Sequence, residues 1–152
     1  MAVDMFIKID GIEGESRDQQ HKGEIELLSF SWGIANQVSN TDDGSGAGRV
    51  SVSDLSIVKQ MDSTSRELFE KYCQGEHIGN ALITLVRRGE NGQEFFKIKL
   101  TDVLVSSYQT GGSHTGGVVP MESVRFNFGS VDIQAADRKG NFVSSVTITN
   151  SA

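Results

Sequence analysis

The chain has 152 residues, of which 37% are hydrophobic and 22% are charged, and its formal net charge at pH 7 is −6. This length predicts a single domain spanning residues 1–152, large enough to bury a core of its own. No apolar run approaches the roughly 20 residues that a membrane-spanning helix needs. The 14 basic residues are scattered among 20 acidic ones, so neither nucleic acid nor a membrane is an expected partner.

The N-terminal residues 3–10 alternate between the two faces of an extended chain, which predicts a strand with one buried face. Charges interrupt this run at Asp4, Lys8 and Asp10, so it lacks the apolar region of a secretory signal peptide. Cys73 is the single cysteine, and no internal disulfide can form. Together these features predict folding in a reducing cytoplasm.

A second strand is predicted over residues 25–33. Parity places Leu28, Phe30 and Trp32 on one face, the predicted core, and turns Ser29 and Ser31 to the opposite face. The apolar residues just before this run have the other parity. We therefore expect a bulge or a change of face near Leu28.

Residues 40–48 form a long polar loop with three glycines, two adjacent aspartates and no apolar side chain larger than Ala47. Such a loop is unusual inside a compact domain unless it has a function. Its glycines allow the backbone to lie close against another surface. Two interpretations are open at this point, a mobile surface loop and a loop ordered by a neighbouring copy of the chain.

One helix is predicted after residue 62. Ser63 or Thr64 can cap it, Thr64 and Glu67 have the spacing of a capping box, and Gly75 is expected to end it. Its apolar stripe predicts that Cys73 is a small buried hydrophobe and not a nucleophile. The stripe consists of Leu68, Phe69, Tyr72 and Cys73.

The remainder of the chain is predicted to be strands. Residues 81–88 and 94–108 flank the dipeptide Asn91-Gly92, which is typical of hairpin turns, so these two runs are expected to pair antiparallel. Apolar and polar residues alternate again around residues 124–133 and in residues 142–149, and each run predicts a strand. Seven or more strands with one short α-helix predict a mainly β protein, an antiparallel two-sheet β-barrel or sandwich.

No catalytic, metal or cofactor site is predicted. The three histidines, at positions 21, 77 and 114, lack the spacing of metal ligands, and no serine lies in a nucleophile elbow. The glycine-rich loop after Asp43 lacks the lysine and the following helix of a phosphate-binding loop. The sequence therefore predicts a protein that is not an enzyme and uses no cofactor.

Six short motifs follow one another along the chain: MFIKI at Met5–Ile9, G-E-S at Gly14–Ser16, S-W-G at Ser31–Gly33, G-A-G-x-V at Gly46–Val50, D-L-S at Asp54–Ser56 and D-V-L-V-S-S at Asp102–Ser107. In this order they resemble the Hcp family, the haemolysin-coregulated proteins that form the inner tube of the type VI secretion system. The resemblance covers essentially the whole chain.

The resemblance implies a β-barrel with one helix at its side that assembles with itself into a hexameric ring. Rings would stack into a tube, with contractile sheath proteins around it and a spike protein at its tip. Effector proteins would travel in the lumen. The protein would be cytoplasmic before firing and would then be secreted with the tube, without a signal peptide.

The resemblance also implies positions for two groups of residues. In Hcp proteins the matching loop reaches adjacent subunits and rings, which favours the second interpretation of the polar loop. One sheet of each subunit lines the lumen, where small hydroxyl side chains suit a wet channel. The implied subunit-contact and ring-stacking residues are Asp42, Asp43, Gly46, Gly48 and Arg49, and the implied lumen-facing residues are Ser29 and Ser31.

Two alternative functions remain open from the sequence. A tail-tube protein of a phage would share the strand pattern and the ring assembly. A small-molecule or carbohydrate-binding β-module would need clustered exposed aromatic residues, but the chain has one tryptophan and two tyrosines. Some Hcp-like chains carry a toxin domain after the tube domain. Here the predicted strands run almost to Ala152, which predicts a structural protein.

Overall fold

The computed structural model describes residues 3–37, 49–89, 92–112, 119–143 and 146–149. Within these ranges the chain forms ten strands and one helix, which agrees with the predicted mainly β fold. The elements are β1 (Val3–Ile9), β2 (Ile25–Leu27), β3 (Ser29–Ser31), β4 (Ile34–Gln37), β5 (Arg49–Val52), β6 (Leu55–Gln60), α1 (Thr64–Gln74), β7 (Ile78–Arg87), β8 (Gln93–Gly111), β9 (Met121–Ala135) and β10 (Val146–Thr149).

Eight strands form one antiparallel sheet in the order β2-β1-β7-β8-β9-β6-β3, and β10 pairs with the far half of β9. β2 and β3, at the two ends of this order, are separated in the chain by one residue. The sheet therefore curls into a nearly closed barrel, as the sequence predicted. The predicted hairpin is confirmed, because β7 and β8 pair antiparallel along their length. β4 and β5 form a separate two-stranded ribbon.

The change of face expected near Leu28 is confirmed, but the prediction that Leu28 lies in the core is wrong. Leu28 is 46% exposed, because it is the single residue that carries the chain from β2, paired with β1, to β3, paired with β6. Its backbone N–H donates to the carbonyl of Val58 at 2.8 Å. Phe30 and Trp32 are partly buried and pack against the core, as predicted.

The core fills the inside of the barrel with aliphatic and aromatic side chains from β1, β2 and β6–β9. The core residues occupy alternate positions along each strand, because successive side chains point to opposite faces of the sheet. Phe126 on β9, fully buried, faces Leu55 across the β6–β9 pair and Val105 across the β8–β9 pair. A nearly closed sheet around one core gives each of these strands one buried face, as the predicted period-2 patterns require.

The helix begins and ends at predicted residues, but the contact at its start differs from the prediction. Gly75 adopts the left-handed conformation (φ 61°), and its N–H donates to the carbonyls at the end of α1, as a glycine stop predicts. Ser63 occupies the N-cap without a side-chain hydrogen bond. Instead, Asp62 accepts hydrogen bonds from the Thr64 N–H (2.9 Å) and the Thr64 hydroxyl (2.5 Å). Within the described residues no helix is long and apolar enough to span a membrane.

The predicted burial of Cys73 is wrong, because its side chain is exposed. Only Leu68 of the apolar stripe is fully buried, whereas Phe69 and Tyr72 are 52% and 43% exposed. The helix packs mainly on one strand, β8, and its first turn also reaches Glu122 on β9 through Ser65. One main packing partner buries a narrower stripe than the sequence pattern suggests.

The segment between β1 and β2 is fastened to the barrel by polar contacts. His21 is buried, stacks on the Phe6 ring at 4.6 Å and donates from Nδ1 to Glu24 at 2.9 Å. Arg88 donates to Asp18 at 2.5 Å. This hydrogen bond lowers the pKa of Asp18, against a smaller opposing effect of desolvation. These contacts hold the segment against β1 and the end of β7.

Candidate functional site

The structure places three of the predicted site residues. Ser29 and Ser31 lie on β3 with exposed side chains, and Arg49 is the first residue of β5. Asp42, Asp43, Gly46 and Gly48 lie outside the described residues. The structure thus brings the two serines together on one sheet face, while the contacts of the polar loop stay a prediction.

Ser29 and Ser31 belong to a wider polar surface that crosses four strands. Ser31 is opposite Ser56, which is opposite Arg125, which is opposite Ser107. The neighbouring row begins at Ser29 and continues through β6 and β9 to β8. We call this surface the serine face; its eight residues are Ser29, Ser31, Ser56, Val58, Ser107, Gln109, Ser123 and Arg125.

The serine face exists because of strand parity. Ile57 and Phe126, one residue away from members of the face, point into the core and are fully buried. The members themselves point outward and are exposed or half-buried. Hydroxyls from adjacent strands approach each other, with Ser56 Oγ and Ser123 Oγ 3.5 Å apart. Chemically, this surface offers short side chains that donate and accept hydrogen bonds on a rigid sheet.

Arg125 is the one positive charge on the serine face. Asp54, next to it, is occupied elsewhere: its carboxylate accepts from the Ser106 hydroxyl at 2.7 Å and from the Asn127 amide at 3.0 Å. No acidic side chain among the described residues forms an ion pair with Arg125. A shallow pocket of about 370 Å³ lies here, lined by Ser31, Trp32, Ser53, Asp54, Ser56 and Arg125.

On the opposite face of the same strands, a buried polar network attaches α1 to the sheet. Lys59 on β6 contacts the Glu122 carboxylate on β9, and the side chains of both are fully buried. Lys59 Nζ also donates to Asp62 at 3.0 Å. Glu122 accepts from the Ser65 hydroxyl of α1 at 2.7 Å and from the Tyr108 hydroxyl of β8. The network therefore joins β6, β8 and β9, three of the four strands that carry the serine face, to the helix.

This network shifts two pKa values. Desolvation and the adjacent Glu122 carboxylate raise the pKa of Tyr108 to about 12, because both disfavour the phenolate. Desolvation would raise the pKa of Asp62, but hydrogen bonds from Thr64 and Lys59 together outweigh it and lower that pKa. Asp62 thus stays ionised and Tyr108 stays protonated at neutral pH.

Tyr108 gives a testable dependence of stability on pH. Its folded pKa lies above the usual 10.0, so between about pH 10 and 12 the folded state binds more protons than the unfolded state and stability falls as pH rises. We expect Tyr108→Phe to lose less stability than the wild type across this range, measured by urea unfolding at each pH. Parallel losses in the two proteins would contradict this assignment.

The buried network was not predicted from the sequence, although the alternation of buried positions along β6 and β9 indicates it. Lys59 continues the buried positions of β6 after Leu55 and Ile57, and Glu122 precedes Val124 on the buried face of β9. Two opposite charges at core positions of two strands indicate a buried ion pair. Arg125 was likewise not singled out, because only the sheet pairing brings it next to the serines.

Other polar side chains in the described part of the chain do not assemble into a metal site. No group of three or more His, Cys, Asp and Glu side chains could hold a metal ion there. His77 and Asp102 form an exposed pair at 2.9 Å. His21 Nε2 lies 3.0 Å from Glu94 Oε1 without forming a hydrogen bond to it. These contacts bind one segment of the protein to another.

Comparison with known proteins gives a consistent result along the chain. The family described as "Type VI secretion system effector, Hcp" matches residues 6–134. Protein hcp1 of Pseudomonas aeruginosa is 42% identical over 144 residues, which cover 93% of this chain and 88% of that protein. This result supports the secretion-system interpretation over the phage tail-tube and ligand-binding alternatives.

Solved structures agree with the sequence matches. The crystal structure of Hcp1 from Salmonella typhimurium has a TM-score of 0.82 and 37% identity, covering 99% of this chain and 96% of that one. A type VI secretion system effector from Yersinia pestis has a TM-score of 0.79 and 34% identity, with coverages of 96% and 99%. With the barrel, the single helix and the family match in agreement, this chain belongs to the Hcp family of type VI secretion system proteins.

Proposed function

We propose that this protein is a structural subunit of the inner tube of a type VI secretion system and has no catalytic role. Six copies close into a ring, and rings stack into a tube, because a head-to-tail contact that closes gives a ring and one that does not gives a fibre. The observation that carries this proposal is the family match over residues 6–134. The whole chain, residues 1–152, acts as one tube domain.

We place the serine face, with Ser29 and Ser31, at the lumen. Its support is chemical: the face is polar, rigid and dominated by small hydroxyls. A hydrogen bond to such a group adds only about 0.5–1.5 kcal/mol in competition with water. Effector proteins held by contacts of this kind remain bound during transport and are released outside.

We propose that the loop carrying Asp42, Asp43, Gly46 and Gly48, together with Arg49, contacts neighbouring subunits and rings. The support comes from the ribbon that leads into it. β4 and β5 pair only with each other among the described strands, and Ile34 is 44% exposed. An isolated two-stranded hairpin is marginally stable in water, so packing against a neighbour would stabilise the ribbon.

The remaining proposed partners are the proteins that surround and cap the tube. A contractile sheath surrounds it, a spike protein caps it, and the protein is cytoplasmic before firing and outside the cell afterwards. The first experiment is the native mass of the purified protein by light scattering, with negative-stain images of the same sample. Six copies per particle with ring-shaped images are expected. A monomer at high micromolar concentration would overturn the tube proposal.

The proposed role of the loop with Asp42 and Asp43 predicts how the length of stacked tubes depends on charge. Replacing Asp42 and Asp43 together with Asn is expected to shorten stacked tubes in low salt, because the carboxylates pair with positive charge on the next ring. Higher salt should shorten wild-type tubes for the same reason, since it screens exposed charges. Tube length is measured from negative-stain images over a salt series.

A matched control removes two negative charges elsewhere. Glu67 and Glu70 are exposed on α1, and their joint replacement by Gln should leave tube length unchanged. Equal shortening in the two double variants would assign the effect to net charge and contradict a specific role for the loop.

A further inference from the structure

The pocket around Arg125 has a feature that a uniformly polar lumen would lack, a guanidinium that has no acidic partner among the residues that the structure describes. Arg125 is exposed at the centre of the serine face, opposite Ser56 on one side and Ser107 on the other. A guanidinium presents several N–H donors in a planar fork that matches a carboxylate. The serine hydroxyls around it can donate to the same carboxylate oxygens.

The surrounding residues keep this guanidinium available. Asp54 lines the pocket, but its carboxylate oxygens accept from Ser106 and Asn127. The Ser53 hydroxyl is also engaged, since it accepts from the Gly33 N–H at 2.8 Å and donates to the Gly33 carbonyl at 3.1 Å. Asp54 therefore keeps its negative charge but is hydrogen-bonded to Ser106 and Asn127, and Arg125 stays free to bind a ligand.

We propose that this pocket binds a carboxylate from an acidic segment of a cargo protein, with Arg125 as the specificity-determining contact; this rests on the proposed lumenal position of the serine face. Charge complementarity supports that occupant. The complementarity is local to Arg125, because the chain as a whole has a net charge of −6 and disfavours acidic proteins elsewhere on its surface. A free arginine on the otherwise uncharged serine face supplies a local contact that selects an acidic group at a defined place.

The proposal is tested with fluorescein-labelled peptides of four Gly-Glu or four Gly-Gln repeats, by fluorescence anisotropy at low ionic strength. The wild-type protein should bind the Glu peptide about fivefold or more tightly than the Gln peptide, and added salt should reduce the difference. Arg125→Gln should abolish the preference. Arg125→Lys should retain part of it, because the charge remains and the fork is lost.

Arg66→Gln is the matched control. Arg66 is exposed on α1, which packs on the opposite face of the strands, where Ser65 contacts Glu122. This variant loses the same charge and should keep the preference for the Glu peptide. Equal binding of the two peptides to the wild type, or equal effects of Arg125→Gln and Arg66→Gln, would overturn the proposal.

Native mass, measured on the same samples, separates this proposal from the tube function. The pocket is formed within one chain, so peptide binding does not require assembly. If the protein forms rings but binds the Glu and Gln peptides equally, the proposal for the pocket is wrong and the tube function is unaffected. Selectivity in a protein that stays monomeric would overturn the tube function and the lumenal setting. If Arg125→Gln dissociates the rings, Arg125 contacts a neighbouring copy, and the cargo proposal is wrong.

Discussion

Replacing Glu122 with Ala is expected to lower the free energy of unfolding by about 3–5 kcal/mol, because it leaves Lys59 as a buried charge without its main partner. The side chains of both residues are fully buried. The Glu122 carboxylate also accepts from Ser65 and Tyr108. Its removal therefore weakens the attachment of α1 to the sheet and leaves the buried Lys59 with Asp62 as its remaining acidic partner.

A double variant distinguishes the cost of an unpaired charge from the loss of side-chain volume. Lys59→Met combined with Glu122→Leu fills the site with apolar side chains of similar size, and buried ion pairs replaced in this way often lose little stability. We expect this variant to recover a large part of the loss. Urea unfolding is measured at one protein concentration for all variants, because assembly into rings stabilises the folded chain.

The control for Glu122 is an ion pair on the surface. Lys71 and Glu76 pair at 3.0 Å with side-chain exposures of 25% and 52%, and exposed pairs contribute about 0–1 kcal/mol. Glu76→Ala should therefore leave unfolding almost unchanged. A Glu122→Ala variant as stable as Glu76→Ala would show that the buried network does not hold the helix.

Gly14→Ala is expected to destabilise the protein by about 3 kcal/mol, at the upper end of the range for overpacking. A Cβ at Gly14 would lie 2.3 Å from the Glu24 carbonyl oxygen and 2.8 Å from the Ile25 nitrogen. Both are backbone atoms, so no side-chain rotation relieves the overlap. Ile25 begins β2 and is buried, so any shift disturbs the pairing of β2 with β1.

The measurement for Gly14→Ala is thermal unfolding, in which a chain of this size shifts by about 2–4 °C for each kcal/mol. Gly89→Ala is the control, because no heavy atom lies within 4 Å of the added Cβ at that position. Its melting temperature should match the wild type. A normal melting temperature for Gly14→Ala would mean that the segment between β1 and β2 rearranges freely and does not fasten the barrel.

The sequence alone was sufficient for most of the strands and for the buried faces of β1 and β9, but not for the division of the predicted strand 25–33 into β2 and β3 or for β4. The alternation around Ile7 and around Phe126 has period 2, and a strand in a barrel with one buried face imposes that period on any sequence. Gly75 ends the helix because the left-handed conformation favours glycine. Ser29 and Ser31 were placed on the outward face by parity, and they lie there. These are local properties, decided by a residue and its near neighbours.

Other features depend on which strands become neighbours, and only the tertiary structure decided them. Leu28 is exposed because the chain changes its pairing partner at that residue, and Cys73 is exposed because α1 packs mainly on one strand. Lys59 and Glu122 are 63 residues apart in sequence, and Arg125 joins Ser56 and Ser107 only through the register of three strands. Burial and pairing between distant residues arise from the closure of the whole sheet, which no local pattern specifies.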